Sequence, residues 1–370
     1  MNRSIVVLLF GGQNAEKEVS IASAQNLLSA LPADCDHLLL FWRPDGVVQH
    51  VTLQQLSQHT NPYTAPFQPV YKQSQGETYA NVQQAVAHLA QTAQNQHRLI
   101  TFLLAVHGMG CEDGQLQQLL EQQNVPFTGS GSHASARAFN KIQAKQSVQQ
   151  QAVLTADCLV LNPATCSTWS ALAQQFFCQH GPLVMKPAQD GSSIGLQFLH
   201  TQDDVRCAIE AAGAKPRLTL LEPKLSGIEL AATVLEDASG RLTALPCTQV
   251  KPQTGRCFDY AGKYLGDGVQ EITPAQVPNA LAQQAQAVAI AAHKAVGCRG
   301  YSRTDCIATD SDVLFLEINT LPGLSVRSFI PQQLQAAGIA LQQFVATQLH
   351  IAQRAACPLP PATVQAAADD

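Results

Sequence analysis

The sequence predicts an α/β protein with α+β character in its later part and a parallel sheet at its N-terminus. Three observations carry this. Residues 4 to 10, SIVVLLF, form an apolar run of strand length that passes through Gly11 and Gly12 into AEKEVSIASAQNLLSAL, whose apolar residues recur at helical spacing. LITFLLAVHG followed by GCEDGQLQQLLEQQ repeats that strand, turn and helix. From Pro182 onward, short apolar strands come in hairpins instead, above all SRTDCIA and VLFLEIN joined by TDSD.

Composition narrows the class. A chain of 370 residues with 46% hydrophobic and 13% charged residues can bury a large core and divide into about two or three domains. Its net charge of -5 and pI near 6.1 leave no electrostatic footprint for nucleic acid. The 11 cysteines include no CxxC pair and read as reduced core residues. The N-terminal apolar run has no small-residue cleavage site, and no stretch reaches the roughly 18 apolar residues of a membrane helix. A cytoplasmic location without membrane insertion is therefore expected.

In chain order, the first turn places a helix N-terminus and Glu16 at the C-terminal edge of the sheet, where ligands tend to bind. Glu16 either serves a ligand or complements the helix dipole. GGQN lacks the third glycine of GxGxxG, so no dinucleotide fingerprint is present. DHLLLFWRPDG is a second strand; residues 50 to 97 are glutamine-rich, with YANVQQAVAHLAQTAQ the best helix. The next strand delivers His107 to its end, and Glu112 and Asp113 at the following helix start read first as caps. A long helix is expected from Ser132, after a domain boundary close to Val125.

Further on, PLVMKPAQDGSSIGLQFLH is a hairpin with a hydroxyl-bearing glycine tip, whose backbone N–H groups together with Ser192 and Ser193 can surround an anion. It joins two strands, so it is no Walker A loop. Lys186, inside an apolar run, either faces a carboxylate or phosphate or snorkels from an edge strand. Glu222 ends the next strand and Glu229 follows a glycine turn; both could accept from ribose hydroxyls. FDYAGKYLGDGVQEITPA has the composition of a mobile lid, NALAQQAQAVAIAAHKAVG is a long helix, and the tail from residue 355 is expected to fray.

The hairpin of residues 299 to 323 is the most informative stretch. Folding it about Ser311 sets Asp305 opposite Glu317 and Arg303 opposite Asn319, on one face. Two carboxylates and an amide oxygen beside an arginine suit a hard cation, magnesium or calcium, with phosphate completing its shell. The competing reading is a solvated surface ion-pair network.

The succession GGQNAEKEVSIAS, HGMGCEDGQLQQLL, PFTGSGSHASARAFNK, MKPAQDGSSIG, DYAGKYL, GCRGYSRTDC and FLEINTLPGLSVRSFIP resembles, in that order and from near residue 5 to about 352, the D-alanine--D-alanine ligases of the ATP-grasp superfamily. The resemblance implies a three-domain ATP-grasp fold: an N-terminal α/β substrate domain over 1–125, a central subdomain over 126–215, a C-terminal domain over 216–354 and a flexible tail. It implies ATP-dependent joining of two D-alanines through an acyl phosphate, for peptidoglycan precursor synthesis. Lys141, Lys186, Ser193, Glu222, Glu229 and Lys263 match ATP-binding positions. Asp305, Glu317 and Asn319 match ligands of magnesium, two ions being expected and manganese an alternative. Glu16, Ser192 and Tyr264 match a hydrogen-bonded triad, Arg303 with Gly323 an oxyanion stabiliser, His107 a substrate-side position, and Ser328 with Phe329 a carboxylate clamp. A homodimer is expected. Asn140, Gly262, Pro223, Cys111 and Cys306 depart from the usual pattern, which bears on nucleotide affinity and lid movement. D-serine or D-lactate as second substrate, or a non-catalytic nucleotide-binding paralogue, are the alternatives; Tyr264 favours an amine nucleophile.

Overall fold

The computed structural model describes residues 3–70, 76–162, 168–189, 191, 195–213, 217–252 and 269–356, and among them the strands fall into three sheets. The first sheet has the order β4-β3-β2-β1-β5, built from β1 (Ile5–Gly11), β2 (Asp36–Trp42), β3 (Val48–Val51), β4 (Thr78–Tyr79) and β5 (Ile100–Val106). β1 runs parallel to β2 and β5, while β3 and β4 extend the sheet antiparallel. The expected parallel sheet is thus three strands wide with an antiparallel edge. All seven residues of β1 and of β5 are buried, which is why both appear as unbroken apolar runs.

Helix α1 (Lys17–Leu27) follows the first strand. In the glutamine-rich stretch, α2 (Leu53–Ser57) starts with a capping box of Thr52 and Gln55, and α3 (Val82–Asn95) starts where Asn81 accepts from Gln84 N at 2.9 Å. After β5 come α4 (Gln115–Gln122), α5 (Ser132–Phe139) and α6 (Lys141–Gln149). The long helix expected from Ser132 is therefore two helices. Asn140 is extended, pairs with Gln189, and accepts from the backbone N–H of Ile142 at 3.1 Å and Gln143 at 3.3 Å, so it ends one helix and caps the next. An asparagine makes this cap as an aspartate would.

The second sheet, β6-β9-β7-β8, is antiparallel and comprises β6 (Leu159–Leu161), β7 (Leu183–Pro187), β8 (Gln197–Leu199) and β9 (Thr219–Pro223). Helices α7 (Trp169–His180) and α8 (Gln202–Gly213) cover it, burying Trp169, Ala173 and Val205 against Leu183, Met185 and Leu221. The third sheet has the order β13-β12-β10-β14-β15, with β11 also paired to β10. Its strands are β10 (Ile228–Glu236), β11 (Leu242–Ala244), β12 (Thr248–Pro252), β13 (Val269–Ile272), β14 (Tyr301–Ala308) and β15 (Val313–Asn319). Helix α9 (Asn279–Val296) packs on one face, where Ala285 and Ala289 meet Ala232, Val234, Cys306 and Ala308. Small side chains on both partners bring helix and sheet close.

The closing helical segment is also divided, into α10 (Phe329–Ala336) and α11 (Leu341–Ala356). Phe344, Val345 and Leu349 of α11 belong to the same core as β1 and β5, and Gln353 Nε2 donates to Thr101 Oγ1 at 3.1 Å, so the last helix covers the first sheet. No helix among the described residues is long and apolar enough to cross a membrane. The described cysteines are all free thiols.

Candidate active site

The β14–β15 hairpin pairs Arg303 with Asn319 and Asp305 with Glu317, the register that the sequence implies. Beyond Asp305 the pairing shifts: Cys306 faces Phe315, leaving Leu316 as the extra residue of a bulge. The bulge reconciles two demands on one strand. Phe315 and Ile318 both reach the core beneath α5, α6 and α9, while Glu317 and Asn319 face the other way into a cleft. Strict alternation would put Phe315 and Glu317 on one face.

In that cleft the Arg303 guanidinium grips Asp305 with two bonds, Nε to Oδ1 and Nη2 to Oδ2, each 2.7 Å. Asn319 Nδ2 donates to Asp305 Oδ2 at 3.4 Å, Lys141 Nζ lies 3.5 Å from Glu317, and Arg303 stacks 5.2 Å from the Phe329 ring. The group is no solvated surface network, because the side chains of Arg303 and Asp305 are only 17% and 7% exposed. Among the described residues no cluster of three His, Cys, Asp or Glu side chains is close enough to hold a metal. What faces the cleft is the Glu317 carboxylate with the Asn319 amide, and the Asp305 carboxylate lies buried behind them in the grip of Arg303; together they make a hard-oxygen set whose chemistry fits magnesium sharing its shell with phosphate and water.

Lys186 does meet a carboxylate. Its Nζ lies 2.6 Å from Glu222 Oε2, and Lys145 Nζ lies 2.5 Å from Glu222 Oε1, all three side chains being almost wholly buried. Burial alone would raise the Glu222 carboxyl, but the Lys186 and Lys145 ammoniums outweigh it and hold the group below its ordinary value. Two cations sharing one anion leave surplus positive charge near the end of β7. Glu229 stands apart from this trio, on β10 of the third sheet opposite Ile307 and Val250.

The opposite wall comes from the first sheet. Glu16, buried at the start of α1, is set by Asn14, whose Oδ1 accepts from Glu16 N at 2.9 Å and whose Nδ2 donates to the carbonyls of His107 and Met109. Gly108 has φ +74, and a Cβ there would come within 2.5 Å of Glu16 Oε2, so only glycine lets this turn pass the carboxylate. His107 bonds through Nδ1 to the Leu321 carbonyl at 2.8 Å and through Nε2 to Ser23 Oγ at 3.0 Å. With a carbonyl at Nδ1 the proton belongs there, so Ser23 donates to Nε2; burial keeps the ring below its ordinary pKa and neutral. His107 thus ties the 321–324 turn to α1 while lining the cleft.

The two acids read as helix caps separate. Asp113 accepts from Gly110 N at 2.9 Å and Gln115 N at 3.2 Å and is a turn and cap residue. Glu112 lies in the cleft wall with its side chain 12% exposed, and desolvation and then the Glu16 charge push its carboxyl well above the ordinary value. Ser328 and Phe329 begin α10; a Cβ on Gly323 would sit 2.6 Å from Ser328 Oγ. Together with Glu16, His107, Gly191, Arg303, Glu317 and Asn319 they line one cleft. Gly191, from the serine-bearing loop, therefore lies with Glu317 and Asn319 of the hairpin. Ser192, Ser193, Lys263 and Tyr264 lie outside the described residues. Glu112, Glu271, Tyr63 and Arg327 line the cleft without having been singled out as site residues from sequence, and Lys145 joins the Lys186 cluster in the same way.

Comparison with known proteins covers nearly the whole chain. The family descriptions D-ala D-ala ligase N-terminus and D-ala D-ala ligase C-terminus match residues 5–130 and 149–350. A D-alanine--D-alanine ligase of Chlorobium chlorochromatii is 32% identical over 373 residues, covering 95% of this chain and 98% of that protein. One from Ralstonia nicotianae is 33% identical over 343 residues, covering 92% and 88%. Among solved structures, the D-alanine-D-alanine ligase of Coxiella burnetii superposes with a TM-score of 0.76 at 22% identity over 96% of each chain. The VanG D-Ala:D-Ser ligase of Enterococcus faecalis gives the same score and identity over 95% of this chain and 100% of its own, and at that identity both likenesses speak for the ATP-grasp fold alone. On these matches and this fold, the chain belongs to the D-alanine--D-alanine ligase family.

Proposed function

We infer that the protein joins two D-alanines into D-alanyl-D-alanine at the expense of ATP, releasing ADP and phosphate for peptidoglycan precursor synthesis. The observation that carries this is the meeting of Arg303, Glu317 and Asn319 with Gly191 of the hydroxyl-bearing loop in one cleft, with Asp305 held behind them by Arg303, in a chain of which a ligase matches 95%.

In this reading the first D-alanine carboxylate attacks the γ-phosphorus of ATP, ADP leaves, and an acyl phosphate results. The free amine of the second D-alanine then attacks the acyl carbon, the electrons pass to the carbonyl oxygen and return as phosphate departs, and the amine proton is lost. Arg303, with Gly323, steadies that oxygen while it carries charge. Lys141, Lys186, Ser193 and Lys263 attend the phosphates, and Glu222 and Glu229 the nucleoside. Glu16, Ser192 and Tyr264 hold the first substrate and the lid, beside His107. Ser328 and the start of α10 at Phe329 receive the second carboxylate. Asp305, Glu317 and Asn319 would hold magnesium, two ions being expected with manganese as substitute. When bound, the metal supplies charge neutralisation for the transferred phosphoryl group. Three domains with breaks near residues 125 and 215, a homodimer and a cytoplasmic location belong to the same proposal.

The test is ADP release by the purified protein with ATP, magnesium and D-alanine, with the dipeptide identified by mass. ADP release that needs D-alanine is expected. Absence of dipeptide would overturn the reading, and competition by D-serine and D-lactate at several pH values fixes the second substrate.

A further inference from the structure

Tyr63 reaches the cleft from the loop after α2, far in sequence from every other hydroxyl it meets. Its OH donates to Ser325 Oγ at 3.1 Å, and Ser325 Oγ lies 2.8 Å from Ser328 Oγ. Tyr63, Ser325 and Ser328 all line the same cleft, and Ser325 is buried. Each hydroxyl has one proton to give, so a donor fixed at one end can set the direction of a row of three. With the phenol giving its proton to Ser325, the proton of Ser325 is free to go to Ser328, and in that arrangement the proton of Ser328 points into the cleft.

We propose that Tyr63 is a positioning residue for the second amino-acid substrate: it orders the Tyr63–Ser325–Ser328 row so that Ser328 presents a hydrogen, and not a lone pair, to the incoming carboxylate. This rests on the reading of Ser328 as the carboxylate clamp. Burial keeps the phenol protonated, its pKa raised above the ordinary value, so the direction of the row does not reverse at neutral pH. Arg327 lies in the same wall and adds positive charge toward a carboxylate. Removing only the phenol oxygen leaves the ring in place and lets the two serines exchange roles, so that Ser328 donates for part of the time.

The experiment measures ADP release against D-alanine concentration, which resolves a tight constant for the first site and a weaker one for the second. Tyr63→Phe is expected to raise the weaker constant about three- to tenfold, the net worth of an ordinary hydrogen bond, because Ser328 still donates part of the time, with the tight constant, the ATP constant and kcat unchanged. In a Ser328→Ala background the same substitution should add nothing. A Tyr63→Phe enzyme with an unaltered weaker constant would overturn the proposal. So would an equal loss of affinity for ATP and both D-alanines with a lowered melting temperature, which marks a structural strut. Should Ser328→Ala alone leave the weaker constant unmoved, the assignment of Ser328 falls and the proposal with it. Wild-type protein that forms no dipeptide would instead refute the ligase reading itself.

Discussion

Glu222 is the keystone of a buried trio, and the two ways of breaking it should differ in cost. Glu222→Gln leaves the Lys145 and Lys186 ammoniums, now 2.5 and 2.6 Å from one carboxylate, facing each other without a counter-charge. Removing one member of a buried ionic group and stranding the rest costs about 3–5 kcal/mol. Lys145→Met is gentler: it keeps the Glu222–Lys186 pair and fills the space with an apolar chain, so its loss should be about 1.5–3 kcal/mol, that of one charged hydrogen bond. Urea unfolding at pH 7, followed by both fluorescence and circular dichroism, compares the two. A Lys145→Met variant as unstable as Glu222→Gln would refute the idea that net charge balance governs the cluster. Acid supplies a second check. The folded Glu222 carboxyl is held below its ordinary value of 4.5, so its contribution is complete above that pH and fades as pH falls through the folded value. The stability gap between wild type and Glu222→Gln should therefore narrow below pH 4.5.

Glu112 has the opposite sign: its folded carboxyl is raised, so wild-type stability should decline as pH rises above 4.5, and Glu112→Gln should be the more stable protein at pH 7 to 8 by thermal melting, the advantage vanishing in acid. Glu317→Gln should leave the melting curve intact while turnover falls by about a hundredfold or more and the magnesium requirement rises; unchanged kinetics would contradict the metal assignment. Gly323→Ala sets a methyl 2.6 Å from Ser328 Oγ, and displacement of that hydroxyl should raise the weaker D-alanine constant about ten- to a hundredfold with the ATP constant unaltered.

Legibility in the sequence followed the locality of the cause. The β14–β15 register could be read because two carboxylates, an amide and an arginine repeat with strand spacing on either side of a tight turn. The bulge at Leu316 could not, since it answers to Phe315 finding its core under helices from three other parts of the chain. Lys186 announced a need for a partner by sitting in an apolar run, and Glu222 supplies it. Lys145 gave no such sign: on a polar helix it looks solvated, and its burial depends on a strand 77 positions away. Tyr63 enters the cleft through a contact across 262 positions, which no local pattern encodes. Asn140 is the instructive middle case. Its capping capacity is visible in the residue itself, but the pairing with Gln189 that makes it break a helix is visible only in three dimensions.

Placing α11 beneath the strands that are made first has a consequence for biosynthesis. β1 and β5 leave the ribosome early, yet Phe344, Val345 and Leu349 arrive only at the close of translation. At ordinary elongation rates the apolar underside must wait on the order of ten to fifty seconds for its cover. A nascent chain in that interval is a natural client for a holding chaperone, and a polypeptide stopped short of Leu341 would carry the same bare surface permanently, with inclusion bodies the expected fate.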